Sequence, residues 1–129
     1  GHVESGYMIH YVVKFIRPTV RTIGSGWVAS AGALIFVAAK KENRYCLPNT
    51  RFLIHQPSGG IGGTSSDMMI QAEQVRLMRD RLNQIFAEAT GQKVERIEKD
   101  TQRDFWLNTQ EALDYGLLGQ VIRSADDLK

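Results

Sequence analysis

The sequence predicts an α/β fold, and three observations carry that prediction. Short β-branched runs alternate with apolar stretches at helical spacing. No two-residue hairpin turn joins one strand-like run to the next. One long helical segment in the second half keeps a single unbroken apolar seam. The 129 residues make one domain, large enough to bury a single core.

Taken in order, Val3–Ile16 has apolar residues at helical spacing, and Pro18 stops that first helix. Thr19–Ile23 alternates and is β-branched, a strand ending at Gly24-Ser25-Gly26. Ala29–Ala39 is small and apolar all round, the pattern of a buried helix, and the polar Lys40-Lys41-Glu42-Asn43 ends it. Arg44–Leu47 and Arg51–His55 read as two short strands parted by a Pro48-Asn49 turn. Pro57–Ser66 holds four glycines and no helical pattern, so a flexible loop or loose extended arm is expected. The long helix runs from about Asp67 to Thr90 and is closed by Gly91. Its seam is Val75, Met78, Leu82, Ile85 and Ala89. Val94–Asp100 is a polar helix. Asn108 and Glu111 form a capping pair for a short helix that stops at Gly116, and Val121-Ile122 is a last strand.

Composition narrows the function classes. Sixteen Lys and Arg are interleaved with fourteen Asp and Glu, and the resulting charge of +2 leaves no nucleic-acid footprint. The longest apolar stretch, Trp27–Ala39, is too short to span a bilayer and is interrupted by Ser30 and Gly32, so no membrane segment is expected. A lone Cys46 supports no internal disulfide framework and suits a reducing compartment; a buried, inert thiol is the expectation for it. No signal peptide is visible. The chain opens at Gly1 without Met, in what reads as a loop entering a helix, so the N-terminal portion of the natural protein is expected to be absent.

Three residues stand out as a set. Ser30 sits between a β-like segment and the small-residue helix, where free N–H groups and the helix dipole favour a developing negative charge. The flanking Val28-Ala29 differ from the G-x-S-x-G elbow, and taken alone Ser30 reads better as a helix N-cap. His55 ends an apolar strand, and a neutral imidazole there can take a serine proton, or simply hold a structural hydrogen bond. Asp104 and Asp100 both lie at the end of the polar helix, and spacing alone does not choose between them. A Ser, a His and an Asp together suffice for acyl transfer.

The flanking words sharpen this set. Leu47-Pro48-Asn49-Thr50-Arg51-Phe52-Leu53-Ile54-His55-Gln56-Pro57 resembles the histidine motif of the Clp protease proteolytic subunits, and Ala29-Ser30-Ala31-Gly32-Ala33 their serine motif. Thr90-Gly91-Gln92, Ile97 to Asp104, and Glu111-Ala112 to Leu117 are similar to their aspartate motif and its continuation. The intervals agree too: 25 residues from Ser30 to His55 and 49 from His55 to Asp104. The resemblance covers essentially the whole chain.

It implies a Clp/crotonase architecture of repeated β-β-α units with an extra helical handle, here residues 58–90, and a single domain over 1–129. It implies a serine endopeptidase with Ser30 as nucleophile, His55 as general base and Asp104, rather than Asp100, as orienting acid. The backbone N–H groups of Ala31 and Gly1 would hold the oxyanion. The family works as two stacked heptameric rings around a chamber into which a AAA+ unfoldase threads unfolded protein, using ATP. The peptidase itself takes no metal or cofactor. Cytoplasm is the default location, and organellar relatives exist. Three positions depart from the usual pattern: Ala31 in place of Met, Trp27 in place of Gln, and Gln102 in place of an acid. Two other readings belong to different classes. One is a non-catalytic or regulatory paralogue filling ring positions; the other is an acyl-CoA enzyme of the crotonase superfamily.

Overall fold

In the computed structural model, which describes residues 3–56 and 63–128, one construction is used twice. The strand β1 (Thr22–Gly24) turns a corner into β2 (Trp27–Ala29), which runs into the helix α2 (Ala31–Phe36). Then β3 (Arg44–Cys46) turns into β4 (Arg51–Ile54), and the chain goes on to the helix α3 (Ser65–Thr90). At each corner the chain passes from one sheet to another. In the first sheet β3 lies between β1 and β6 (Gln120–Val121), all parallel. In the second, β4 pairs with β2 in parallel and with β5 (Phe105–Leu107) antiparallel.

The corners need backbone that most residues resist. Gly26 sits at φ 67° in the first and Asn49 at φ 66° in the second, left-handed values that Gly and Asn tolerate best. Gly24 pairs with Cys46, whereas Trp27 pairs with Arg51, so the second corner is two residues longer. Thr50 Oγ closes that corner by donating to the Leu47 carbonyl at 2.6 Å.

Between the sheets and helices lies one core, with Phe52, Leu34, Ile97, Leu117 and Leu118 fully buried and the Phe36 and Phe52 rings 5.3 Å apart. The helix α1 (Val3–Phe15) packs on α2. A Cβ on Gly6 would stand 3.0 Å from that of Ala31, so the small residue sets how closely the two helices approach. His10 donates from Nδ1 to the Leu34 carbonyl at 2.8 Å, and burial lowers its pKa from 6.5. The Tyr7 hydroxyl reaches the Met78 carbonyl on α3 at 3.1 Å, and burial pushes its pKa up to about 12.

The helix α3 has two regimes. Its C-terminal part, with Leu82, Phe86 and Ala87, is buried against the core. Its N-terminal part exposes Met68, Met69, Ile70 and Leu77. Only the later part of the predicted seam is therefore core. The expected glycine-rich arm falls mostly outside the described residues, and the helix begins at Ser65, capped by Thr64. The helices α4 (Val94–Asp100) and α5 (Thr109–Tyr115) match expectation, and α5 carries the full Asn108–Glu111 capping box and ends at Gly116.

Several elements differ from the sequence expectation. The first strand is Thr22–Gly24 in place of Thr19–Ile23, and β2 has no counterpart among the expected strands. The small-residue helix is shorter than Ala29–Ala39: Ala29 is committed to the ladder with Leu53, Ser30 is not helical, and the helix stops at Phe36. The strand β5 has no counterpart in that expectation, and it gives the second sheet its one antiparallel pair.

Candidate active site

The parallel pairing of β2 with β4 brings the ends of both strands together. Ala29 is opposite Leu53, and the Ser30 N–H reaches the Leu53 carbonyl at 3.4 Å. The residue after β2 and the residue after β4 are thereby neighbours. Ser30 Oγ and His55 Nε2 stand 2.6 Å apart.

Ser30 sits at φ 52°, ψ −121°, a conformation that side-chain-bearing residues rarely adopt. Its side chain makes no capping bond, while its carbonyl accepts from the N–H groups of Ala33 and Leu34 at 3.1 and 3.2 Å. The N-cap alternative thus has no hydrogen bond behind it. Such a sharp strand-to-helix turn presents a hydroxyl outward, the geometry that nucleophile elbows share.

His55 Nδ1 lies 3.1 Å from the Gln56 carbonyl oxygen. A carbonyl only accepts, so Nδ1 carries the hydrogen. In the neutral ring Nε2 is then the lone-pair nitrogen, and the Ser30 hydroxyl donates to it. That is the tautomer a general base needs.

Asp104 reaches the same place through β5. The antiparallel register pairs Phe52 with Leu107, Leu53 with Trp106 and Ile54 with Phe105, so His55 follows the last residue of β4 in that pairing and Asp104 precedes its partner. The Asp104 carboxylate is exposed and not on Nδ1, which the Gln56 carbonyl occupies. Asp100 is engaged elsewhere: the Tyr115 hydroxyl donates to it at 2.9 Å, and Arg96 stands 3.4 Å away. Burial, and then the bond to Asp100, raises the Tyr115 pKa well above its usual value.

Ala31 is the first residue of α2, so its N–H has no intrahelical acceptor. Gly1 lies outside the described residues. Beside the Ser30–His55 pair opens a small pocket walled by Val3, Leu34, Ile54, Leu82 and Phe86. Trp27 is not in that wall; its ring packs edge-on to Trp106 at 5.6 Å, and the Arg51 guanidinium lies 4.5 Å over Trp106. Among the described residues, no group of three or more His, Cys, Asp or Glu comes together as a metal site. Cys46 is buried, and burial raises its thiol pKa, which makes it a poor nucleophile.

One part of the site has no signal in the sequence. Gln56 turns its side chain inward, and its Nε2 donates to Thr101 Oγ at 2.6 Å and to Asn83 Oδ1 at 2.9 Å. Those partners are 45 and 27 residues away, and no local pattern marks them.

The model of the Clp protease family matches residues 1–125. The chain is 90% identical over its whole length to an ATP-dependent Clp protease proteolytic subunit of Paracoccus denitrificans, and covers 65% of that protein. It is 62% identical to proteolytic subunit 3 of Rhizobium etli, covering 99% of this chain and 66% of that one. The chain thus spans just under two thirds of the length of these relatives. Among solved structures, ClpP1 from Listeria monocytogenes superposes with a TM-score of 0.88 at 53% identity, covering all of this chain and 71% of the other. A point mutant of the same protein gives 0.92 at the same identity and coverage. The α/β architecture and the repeated β-β-α units accordingly agree with the fold of those structures, and the chain belongs to the Clp protease family.

Proposed function

We propose that this chain carries the catalytic centre of a serine endopeptidase that cleaves unfolded polypeptides. The observation that bears most weight is the 2.6 Å contact between Ser30 Oγ and His55 Nε2, with Nδ1–H held by a carbonyl. As Ser30 Oγ attacks the scissile carbonyl carbon, its proton passes to Nε2. The tetrahedral oxyanion is held by the Ala31 N–H and, by family resemblance, that of Gly1. Collapse expels the amine, which takes the proton from Nε2 and leaves an acyl ester on Ser30. Water, deprotonated by the same nitrogen, then hydrolyses the ester and restores the hydroxyl.

Asp104 is the orienting acid in this reading. Asp104 is adjacent to Phe105, the partner of Ile54 next to His55, and Asp100 is engaged by Tyr115 and Arg96; both observations support the choice. Before reaction Nδ1–H is held by the Gln56 carbonyl, which sets the tautomer, and the carboxylate turns onto that same hydrogen as the imidazolium forms. The apolar pocket favours a substrate side chain without charge beside the cleaved bond.

Exposed apolar residues on α1, with Phe15 87% exposed, and on the outer half of α3, with Met69 74% exposed, suit self-association. Heptameric rings stacked in pairs and a AAA+ unfoldase that spends ATP are the partners this reading takes from the family. The peptidase chemistry itself engages only side chains and backbone, with no cofactor. Among the described residues no helix is long and apolar enough to cross a membrane. Cytoplasm remains the proposed location, with the organellar interior fitting as well.

The test is covalent labelling of the complete, assembled protein with a fluorophosphonate. Ser30→Ala and His55→Ala are each expected to lose labelling by more than roughly 10³-fold. Absence of labelling in correctly assembled wild-type protein would favour a silent ring subunit instead.

A further inference from the structure

We propose that Gln56 is a positioning residue: a clamp that holds its own backbone carbonyl on His55 Nδ1 and so selects the nitrogen that faces Ser30. The inference rests on the peptidase reading for its catalytic consequence, and on geometry alone for the clamp.

The chain leaves β4 at Ile54, and His55 and Gln56 are the next two residues. Without an anchor, nothing in β4 would fix the Gln56 carbonyl. The anchor is its side chain, and its orientation is dictated by its partners. Thr101 Oγ spends its single hydrogen on the Ile97 carbonyl at 2.7 Å, so towards Gln56 it can only accept. The Gln56 amide must therefore present its nitrogen there, and Asn83 Oδ1 takes the second hydrogen. Both partners are sunk in the core, Asn83 4% and Thr101 2% exposed.

Among the described residues this arrangement leaves the buried Gln56 Oε1 without a donor. The amide is aligned by what it must hold rather than by what would satisfy it. Its two anchors also belong to separate elements, Asn83 on α3 and Thr101 at the end of α4. α3 gives Leu82 and Phe86 to the pocket wall, and Thr101 lies three residues before Asp104. One side chain thus ties the base to the helix that shapes the substrate pocket and to the segment that carries the acid.

The experiment compares Thr101→Val, which removes the acceptor, with Thr101→Ser, which keeps it, in the complete assembled protein. Ring-¹⁵N-histidine spectra, with His55 assigned by its loss in His55→Gln, report the tautomer. Wild type and Thr101→Ser are expected to show His55 protonated on Nδ1, and Thr101→Val a mixture with the Nε2–H form. Fluorophosphonate labelling of Ser30 is expected to fall about tenfold in Thr101→Val and to stay within about twofold in Thr101→Ser. Should Thr101→Val not assemble, Gln56→Met, which drops both donors at similar length, carries the same two measurements. A variant that melts earlier but keeps the wild-type tautomer and labelling rate would overturn the clamp and leave the peptidase reading standing. Wild-type protein that never labels would overturn the peptidase reading, while the tautomer spectra still judge the clamp.

Discussion

The two sheets of this molecule are finished in opposite ways. In the first, β3 is buried along its whole length, and Arg44 points its guanidinium into a ring of carbonyls. Its Nε donates to Ala39 and its Nη1 to Ala89, both at 2.8 Å, with Leu117, Gly116 and Val37 at 3.3 to 3.4 Å. Burial draws the Arg44 pKa down to about 10, which leaves it charged at neutral pH. Nearby, Gly116 stands so close to the Thr90 carbonyl that a Cβ would lie 2.1 Å from its oxygen. The second sheet ends in a serine with an unfavourable backbone, a glutamine whose Oε1 has no donor among the described residues, and an exposed Asp104 just before β5. Polar groups and close packing hold the first sheet together. In the second, a strained backbone and an unmet hydrogen bond gather at the proposed catalytic centre.

The largest effect expected on this contrast comes from Asp104→Asn. If the carboxylate swings onto His55 Nδ1 in the working state, labelling and peptide hydrolysis should fall by roughly 10⁴-fold, as when the buried acid of a serine triad is amidated. A loss of only about tenfold, one hydrogen bond's worth, would instead make the Gln56 carbonyl the working orienter. Either result fixes which of the two acceptors sharing one nitrogen is used. The apparent second-order labelling rate is the quantity to measure, on assembled protein of matched stability.

Arg44→Met tests the other sheet. It removes the donors but leaves the carbonyls of Ala39 and Ala89 where they are, so stability should drop by about 3 kcal/mol or more. A denaturant midpoint measures this. The protein that remains folded should label at the wild-type rate, because no Arg44 contact reaches Ser30 or His55. A loss below about 1 kcal/mol would break the comparison by showing that the saturated sheet does not depend on its buried cation.

How much of this is legible in the sequence follows from how local each feature is. The α1, α3, α4 and α5 helices announce themselves by spacing, caps and stops, which act over a few residues. Ser30 and His55 are individually weak signals and become specific only through the words around them. The strand β5 escapes notice because Phe105-Trp106-Leu107 is too short to show alternation, and only its partner β4 makes it a strand. Sequence draws the helix α2 too long because apolar character cannot reveal that Ala29 is needed by a ladder 24 residues away. The Gln56 clamp is invisible for the same reason, since its anchors sit on two other elements. Gly1 and most of the glycine arm fall outside the described residues.

The smallest expected effect is the most direct test of strain in the second sheet. Ser30→Ala and Ser30→Gly both delete the hydroxyl and its 2.6 Å contact with His55, so their difference in stability isolates the backbone. At φ 52°, ψ −121° a Cβ is costly, by about 1–3 kcal/mol, and glycine escapes that cost. Against this, glycine has more freedom to lose on folding, worth about 0.5–1 kcal/mol. The Ser30→Gly variant should therefore be the more stable of the two by about 1 kcal/mol, read as a difference in denaturant midpoint at unchanged slope. Glycine also outranks alanine at an ordinary helix N-cap, so it is the absence of any gap between the two variants that decides against strain. A Ser30→Ala protein as stable as the Ser30→Gly protein, or more so, would mean that the nucleophile turn is relaxed. The amide oxygen of Gln56, without a donor among the described residues, would then carry the tension left in this sheet.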